Sequence, residues 1–196
     1  MAISETVLIL AGGTAVLAIL FGIRLAMRAV AGGATASSGG SGPPDVAGVI
    51  ALPPLIFLGF LLAAAVLEGI FPLPVLAAHA FPRALAGAVL ATCGFGIIFA
   101  AARRFSAAGT NIPPTLPTTA LVVDGIYRRT RNPLYLGTTL VYLGLGVAAG
   151  SFWAIGLVVP LLWVINVGVI APEERYLERK FGEAYRAYKA RVRRWV

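Results

Sequence analysis

Residues 134–171 read LYLGTTLVYLGLGVAAGSFWAIGLVVPLLWVINVGVIA, thirty-eight consecutive positions without an Asp, Glu, Lys, Arg or His. A hydrocarbon core of about 30 Å takes about 17–25 helical residues, so this run is too long for one crossing and divides at Gly150-Ser151. Leu134–Ala149 and Phe152–Ala171 then form a tight helical hairpin. Outward from it, Val7–Ile23, Val46–Leu67 and Ala84–Ala102 complete five candidate crossings. The composition agrees: 59% of the 196 residues are hydrophobic and 12% charged, with a mean hydropathy of +0.88. Ordinary soluble domains carry about 25% charged residues. The expected fold is an all-α integral membrane protein with about five transmembrane helices and a C-terminal cytoplasmic amphipathic helix.

The formal charge of +8 does not point to nucleic acid, because the charges are confined to short segments between the apolar runs. Basic residues near span ends stay cytoplasmic. Fifteen of the sixteen lie on one side of the five spans, and Arg83 alone lies opposite. The N-terminus is therefore expected outside and the C-terminus inside, in a membrane of the bacterial inner type. Val7–Ile23 has no basic stretch before it and is followed by Arg24 and Arg28, so it reads as a retained span rather than a cleaved leader.

One cysteine, Cys93, sits in an apolar run and reads as a small buried residue, with no disulfide framework and no metal site. The Gly- and Ser-rich stretch 31–45 reads as a flexible connection. Two halves of one folded unit follow: residues 1–102 with the first three spans, and residues 103–196 with a cytoplasmic loop, spans four and five and the C-terminal helix. The loop contains Thr110–Thr119, an irregular lid or linker with three prolines, and then residues 121–127, where Asp124-Gly125 permits a short hairpin or turn.

Arg131-Asn132-Pro133 marks the start of span four, with Asn132 as the cap and Pro133 at the first helical position. A helix N-terminus beside Arg131 suits an anion. The same residues also serve a plainer purpose, starting a membrane helix beside anionic headgroups. Pro172 begins a new helix after span five, with Glu173 and Glu174 in its first turn. Leu177, Phe181, Tyr185, Tyr188, Val192 and Trp195 then recur at helical spacing, the pattern of a basic amphipathic helix lying on a membrane. The two acids do not suit an anionic surface. In a hairpin they fall beside the polar end of span four, where arginine, helix N–H groups and carboxylates together suit a zwitterionic ligand. Gly94-Phe95-Gly96 in span three permits close approach of a neighbouring helix or a flat ligand. Asn166 in span five needs a hydrogen-bond partner, expected on another helix.

These residues resemble the isoprenylcysteine carboxyl methyltransferases and the related phospholipid methyltransferases. The resemblance rests on Gly125-Ile126-Tyr127, Arg131 through Gly137, Glu173-Glu174, Phe181-Gly182 and Tyr185-Arg186-Ala187-Tyr188, in that order, within residues 94–195. It implies methyl transfer from S-adenosylmethionine to a lipophilic small-molecule or lipidated acceptor that enters from the bilayer. It also implies a cofactor site of Gly94, Gly96, Tyr127, Asn132, Pro133, Tyr135, Leu136, Gly137, Glu173, Glu174, Tyr185 and Tyr188. Arg131 is the catalytic candidate, holding either the acceptor's carboxylate or the cofactor's own. Asn132 stands where the prenylcysteine branch has histidine, so no role that needs an imidazole is implied.

Methyl transfer needs positioning and electrostatics more than a general base, which fits a chain with a single histidine. Isoprenylcysteine-type carboxyl methylation is the expected activity. Methylation of a phospholipid, small thiol or amine is the nearest alternative, followed by a nicotinamide-dependent membrane reductase and a non-enzymatic membrane scaffold.

Overall fold

The computed structural model describes residues 45–73 and 79–196. The candidate first span, Val7–Ile23, and nearly all of the 31–45 connection lie outside the described residues. Helix α1 is Pro53–Ile70 and α2 is Ala80–Ala107. A 3-10 turn at Gly125–Arg128 leads to α3, Pro133–Ala149. The chain then runs helically from Phe152 to Phe181. This path comprises α4 (Phe152–Gly156), α5 (Val158–Ile165), a π-helical turn (Asn166–Ile170) and α6 (Ala171–Phe181). Helix α7, Glu183–Arg191, and a short extended tail complete it.

Among the described residues all regular structure is helical, and three stretches are long and apolar enough to cross a membrane: Pro53–Ile70, Ala80–Ala107 and Phe152–Phe181. The fourth expected span, α3, is an apolar helix of 17 residues, at the lower end of what a bilayer requires. Large apolar side chains stand exposed along the outside: Leu55, Leu58, Leu62 and Val66 on α1, and Phe81, Leu85, Val89 and Phe99 on α2. Their i, i+3 and i+4 spacing draws stripes whose natural solvent is lipid.

Each helix boundary has a local cause. Pro53 occupies the first turn of α1, and Pro133 that of α3, where the missing N–H costs no hydrogen bond. The expected hairpin forms: Gly150 closes α3 with φ 71°, a left-handed cap that glycine adopts without strain. Ser151 then caps α4, its hydroxyl oxygen accepting from the Ala154 N–H at 3.2 Å. The same hydroxyl donates to Glu68 at 2.7 Å, and the Trp153 indole donates to the Phe71 carbonyl at 2.7 Å, so the hairpin bend is fastened to the end of α1.

Helices α2 and α3 run antiparallel and meet through glycine. A Cβ at Gly94 would lie 2.5 Å from the Gly137 carbonyl oxygen, and one at Gly144 would lie 2.6 Å from that of Gly87. The pairs are seven residues apart on each helix, so the backbones stay in contact over two turns. Gly96 has nothing within 4 Å. The close approach expected of Gly94-Phe95-Gly96 is thus a helix contact made by Gly94, and Gly96 faces outward. Cys93 is exposed rather than buried, because only the Gly87, Gly94 and Ala101 face of α2 is covered.

Among the described residues, one of two buried clusters joins Phe57, Phe60, Ala64 and Leu67 of α1 to Tyr142 of α3 and to Leu161, Ile165 and Ile170 on the long helical path. Gly168 in the π turn makes room for Ile50, whose N–H donates to the Gly168 carbonyl at 3.1 Å. This widened turn lies one helical turn before Glu173 and Glu174, and such turns often mark functional positions.

Four expectations change. The loop before α3 begins later than Arg103, since α2 continues to Ala107; within it, of the two forms expected there, residues 125–128 take the turn, as a 3-10 helix. No new helix starts at Pro172, because the first-turn position it occupies continues the helix already running through the π turn. The C-terminal apolar stripe is not one helix on a membrane: Gly182, with φ 53°, breaks it, and α7 ends at Arg191. Its Tyr185 and Tyr188 are buried against Val122 and Tyr127 of the protein itself. Finally, Asn166 donates to Leu162 of its own helix and accepts from the Trp195 indole of the tail at 3.2 Å, so its distant partner is not another span.

Candidate active site at the helix ends

The α3 N-terminus, the start of α6, α7 and the loop after α2 enclose a cavity of about 110 Å³. Its polar floor is Arg131, Asn132, Tyr135, Glu173 and Glu174, and its apolar walls include Phe105, Ile112, Leu121, Val122 and Leu177. The floor exists because the hairpin returns α6 to the level where α3 began. Tyr135 donates to Glu173 at 2.6 Å, and Arg131 pairs with Glu174 at 2.8 Å.

The Arg131 and Glu174 side chains are each 9% exposed, which makes the pair a buried one. Charges withdrawn from water lose several kcal/mol of hydration, which geometry and further hydrogen bonds must offset. Arg194 provides some of these, its Nε and Nη2 donating to Glu174 at 3.1 and 2.5 Å. Arg131 also donates to the Lys189 carbonyl at 3.0 Å, yet its buried Nε has no acceptor. A buried guanidinium N–H left open in a cavity floor suits an added acceptor, such as a ligand carboxylate.

The cap at α3 departs from expectation. The Asn132 side chain does not close its own helix; its Nδ2 donates instead to the Arg194 carbonyl at 2.9 Å, which Thr130 also approaches at 3.2 Å. The Arg131 N–H donates to the Arg193 carbonyl at 3.0 Å. The tail thus lies against residues 130–132 and takes up the amide that would have capped the helix. The Leu134 and Tyr135 N–H groups, in the first turn, have no acceptor within their own helix and stand next to the cavity.

Tyrosines form the remaining wall. Burial raises the Tyr127 and Tyr185 phenols well above their ordinary range and Tyr188 to about 12, so all three stay protonated donors. Tyr188 donates to the Tyr127 carbonyl at 2.7 Å, which fixes α7 to the 3-10 turn. Above the floor, the Tyr176 hydroxyl accepts from the Thr118 N–H at 3.0 Å and contacts Asp45 Oδ1 at 3.1 Å. Lys180 holds both Asp45 oxygens, at 2.6 and 2.8 Å. The Pro-rich loop expected as a lid or linker does line the cavity, through Asn111, Ile112, Pro113, Pro114 and Thr118.

Of the residues singled out from sequence, Tyr127, Arg131, Asn132, Pro133, Tyr135, Glu173, Glu174, Tyr185 and Tyr188 come together around the cavity. Gly94 and Gly137 instead form the α2–α3 contact, Gly96 faces outward, and Leu136 lines a separate recess. Tyr176 and Arg194 join the site without a motif of their own, and Thr118 does so as part of the Thr110–Thr119 loop. Tyr176 lies two residues after an acid pair on a helix, a weak signal, and nothing local marks Arg194 among its basic neighbours.

The chain is thus a helical membrane protein with a polar, arginine- and carboxylate-lined cavity at the ends of an apolar helical hairpin. The sequence model of phospholipid methyltransferases matches residues 82–184, more than half of the chain. The chain belongs to that family, that of membrane methyltransferases. An uncharacterized protein of Haemophilus influenzae is 45% identical over 63 residues, covering 32% of this chain and 79% of that protein. Protein-S-isoprenylcysteine O-methyltransferase of Schizosaccharomyces pombe is 38% identical over 72 residues, covering 37% of this chain and 30% of the yeast protein. No solved structure matches the chain.

Proposed function

We propose that the cavity binds S-adenosylmethionine and that the protein methylates a lipophilic acceptor, of which an isoprenylcysteine-type carboxylate is the leading candidate. The observation that carries this reading is the meeting of Arg131, the α3 N-terminus, Glu173 and Glu174 in one cavity with apolar walls. The donor set fits the cofactor. Its carboxylate suits the open Arg131 Nε and the first-turn N–H groups, its ammonium suits the carboxylates of Glu173 or Glu174, and its adenine suits the walls of Phe105, Leu121 and Val122. Small-molecule sites usually hold ~300–1,000 Å³, so seating it requires the 111–118 loop to move outward from about 110 Å³.

When bound, the cofactor supplies a methyl group already activated by sulfonium. Tyr135 keeps Glu173 in place, and Arg194 keeps Glu174 paired when Arg131 turns to a ligand carboxylate. The apolar lid residues Ile112, Pro113 and Pro114 exclude water. A carboxylate acceptor arrives ionised and needs no base, so positioning is the protein's main contribution. Partial identity to the yeast enzyme, named for isoprenylcysteine O-methylation, supports this acceptor over a phospholipid amine.

Calorimetric titration of detergent-purified full chain with S-adenosylmethionine, S-adenosylhomocysteine and reduced nicotinamide cofactor tests the first half. Micromolar binding of the adenosyl ligands alone is expected; folded protein that binds neither sinks the proposal. Labelled methyl transfer in vesicles tests the second half. A prenylcysteine carboxylate gives a base-labile ester, whereas base-stable label in the phospholipid would reassign the acceptor.

A further inference from the structure

A second recess, of about 470 Å³, opens beside the C-terminal tail between Ile97, Ile126, Leu136, Trp195 and the rim residue Arg129. That volume lies within the ~300–1,000 Å³ range of small-molecule sites. It shares no lining residue with the cavity above. Tyr127 and Tyr135 line the cavity while Ile126 and Leu136 line the recess, so residues 126–136 form the wall between the two.

The recess is amphipathic along the membrane normal. Ile97 lies on α2 six residues before Arg103, ~9 Å deeper into the apolar layer at 1.5 Å per residue. At the shallow end Arg129 is exposed, as is Arg128 beside it. Among the described residues no acid pairs with either: the ion pairs engage Arg104, Arg131, Lys180, Arg186, Lys189 and Arg194. The nearby Asp124 is held by Arg104 at 2.9 Å. Trp195 does not swing in to fill the space, because its indole is tied to Asn166.

We infer that this recess holds an anionic phospholipid of the bilayer, its acyl chain against Ile97, Leu136 and Trp195 and its phosphate on Arg129. Two unneutralised arginines favour a net negative headgroup over a zwitterionic one, whose ammonium they repel. The wall keeps the seated chain away from the cavity floor, so the occupant is a bilayer lipid and not the methyl acceptor. It also packs on the tail that presents Arg194 to Glu174.

Native mass spectrometry of the full chain, released from mixed phosphatidylglycerol and phosphatidylcholine, tests this. The wild type is expected to retain one phosphatidylglycerol at least five-fold over phosphatidylcholine, Arg129→Gln to lower that ratio at least two-fold, and Arg128→Gln/Arg129→Gln to bring it to about one. Equal retention by the wild type, or an unchanged preference in Arg129→Gln, overturns the proposal. Tryptophan quenching gives a second readout in a Trp153→Phe/Trp163→Phe protein, where only Trp195 remains. Brominated phosphatidylglycerol should quench it at least twice as strongly as brominated phosphatidylcholine at equal mole fraction, and equal quenching counts against the site.

Discussion

Helix α3 meets its neighbours in two different ways along its length. Against α2 it presents Gly137 and Gly144, and the two backbones touch. At its N-terminus it presents Asn132 and Tyr135, preceded by Arg131, to the acids of α6 and to the tail, across buried ion pairs and hydrogen bonds. The first contact leaves no room for an added atom, because a Cβ at either of these glycines would lie within 3 Å of the backbone of the facing helix. The second is a set of charged and polar side chains, Arg131 and Arg194 on Glu174 and Tyr135 on Glu173, held by ion pairs and hydrogen bonds rather than by touching backbones. One helix thus combines a seam that tolerates no added atom with a polar end whose partners are side chains.

The largest effect should come from the seam. Gly94→Leu puts a side chain where the Gly137 backbone and Val141 already stand, so its cost exceeds the ~1–3 kcal/mol of ordinary core overpacking and forces the two helices apart. The expected outcome is loss of monodisperse protein on size-exclusion chromatography. Near wild-type recovery would mean that the helices do not need this contact. Gly96→Leu, facing open space, is the matched control and should elute normally.

Glu174→Gln comes next. It leaves Arg131 buried without its counter-charge, and breaking a buried pair costs ~3–5 kcal/mol. Thermal unfolding should therefore show a clear drop alongside any loss of cofactor affinity, and a midpoint unchanged from wild type would show the pair to be dispensable to the fold. Glu173→Gln is the cleaner probe of binding, since glutamine still accepts the Tyr135 hydroxyl. An order-of-magnitude rise in the dissociation constant for S-adenosylmethionine with little change in stability is expected there, and undiminished affinity would remove Glu173 from the site.

Tyr135→Phe removes a neutral donor from a half-buried carboxylate, for an expected cost of ~1–3 kcal/mol measured by denaturation. Arg194→Gln should do least. Its side chain is 39% exposed, so solvent screening limits the loss to ~1 kcal/mol or below. Its signature is a raised KM for the cofactor at nearly constant kcat, partly rescued by Arg194→Lys; equal loss in both parameters would point to general damage to the fold.

Hydropathy and local punctuation settled the membrane class, the hairpin at Gly150-Ser151, the start of α3 at Pro133 and the nearness of the acid pair to that start. Each follows from a run of apolar residues or from a backbone preference of the residue itself, which neighbours along the chain fully specify. The tertiary structure alone decided which glycine seats which helix, that Glu174 lies between two arginines, and that the Asn132 amide serves the tail rather than its own helix. The partners of Arg131 and Asn132 are 43 and 62 residues away in the chain. Periodicity marked a stripe through Tyr185 and Trp195, but whether lipid or protein covers it depends on the bend at Gly182 and on Val122 and Tyr127 across from it, and no local pattern encodes that choice.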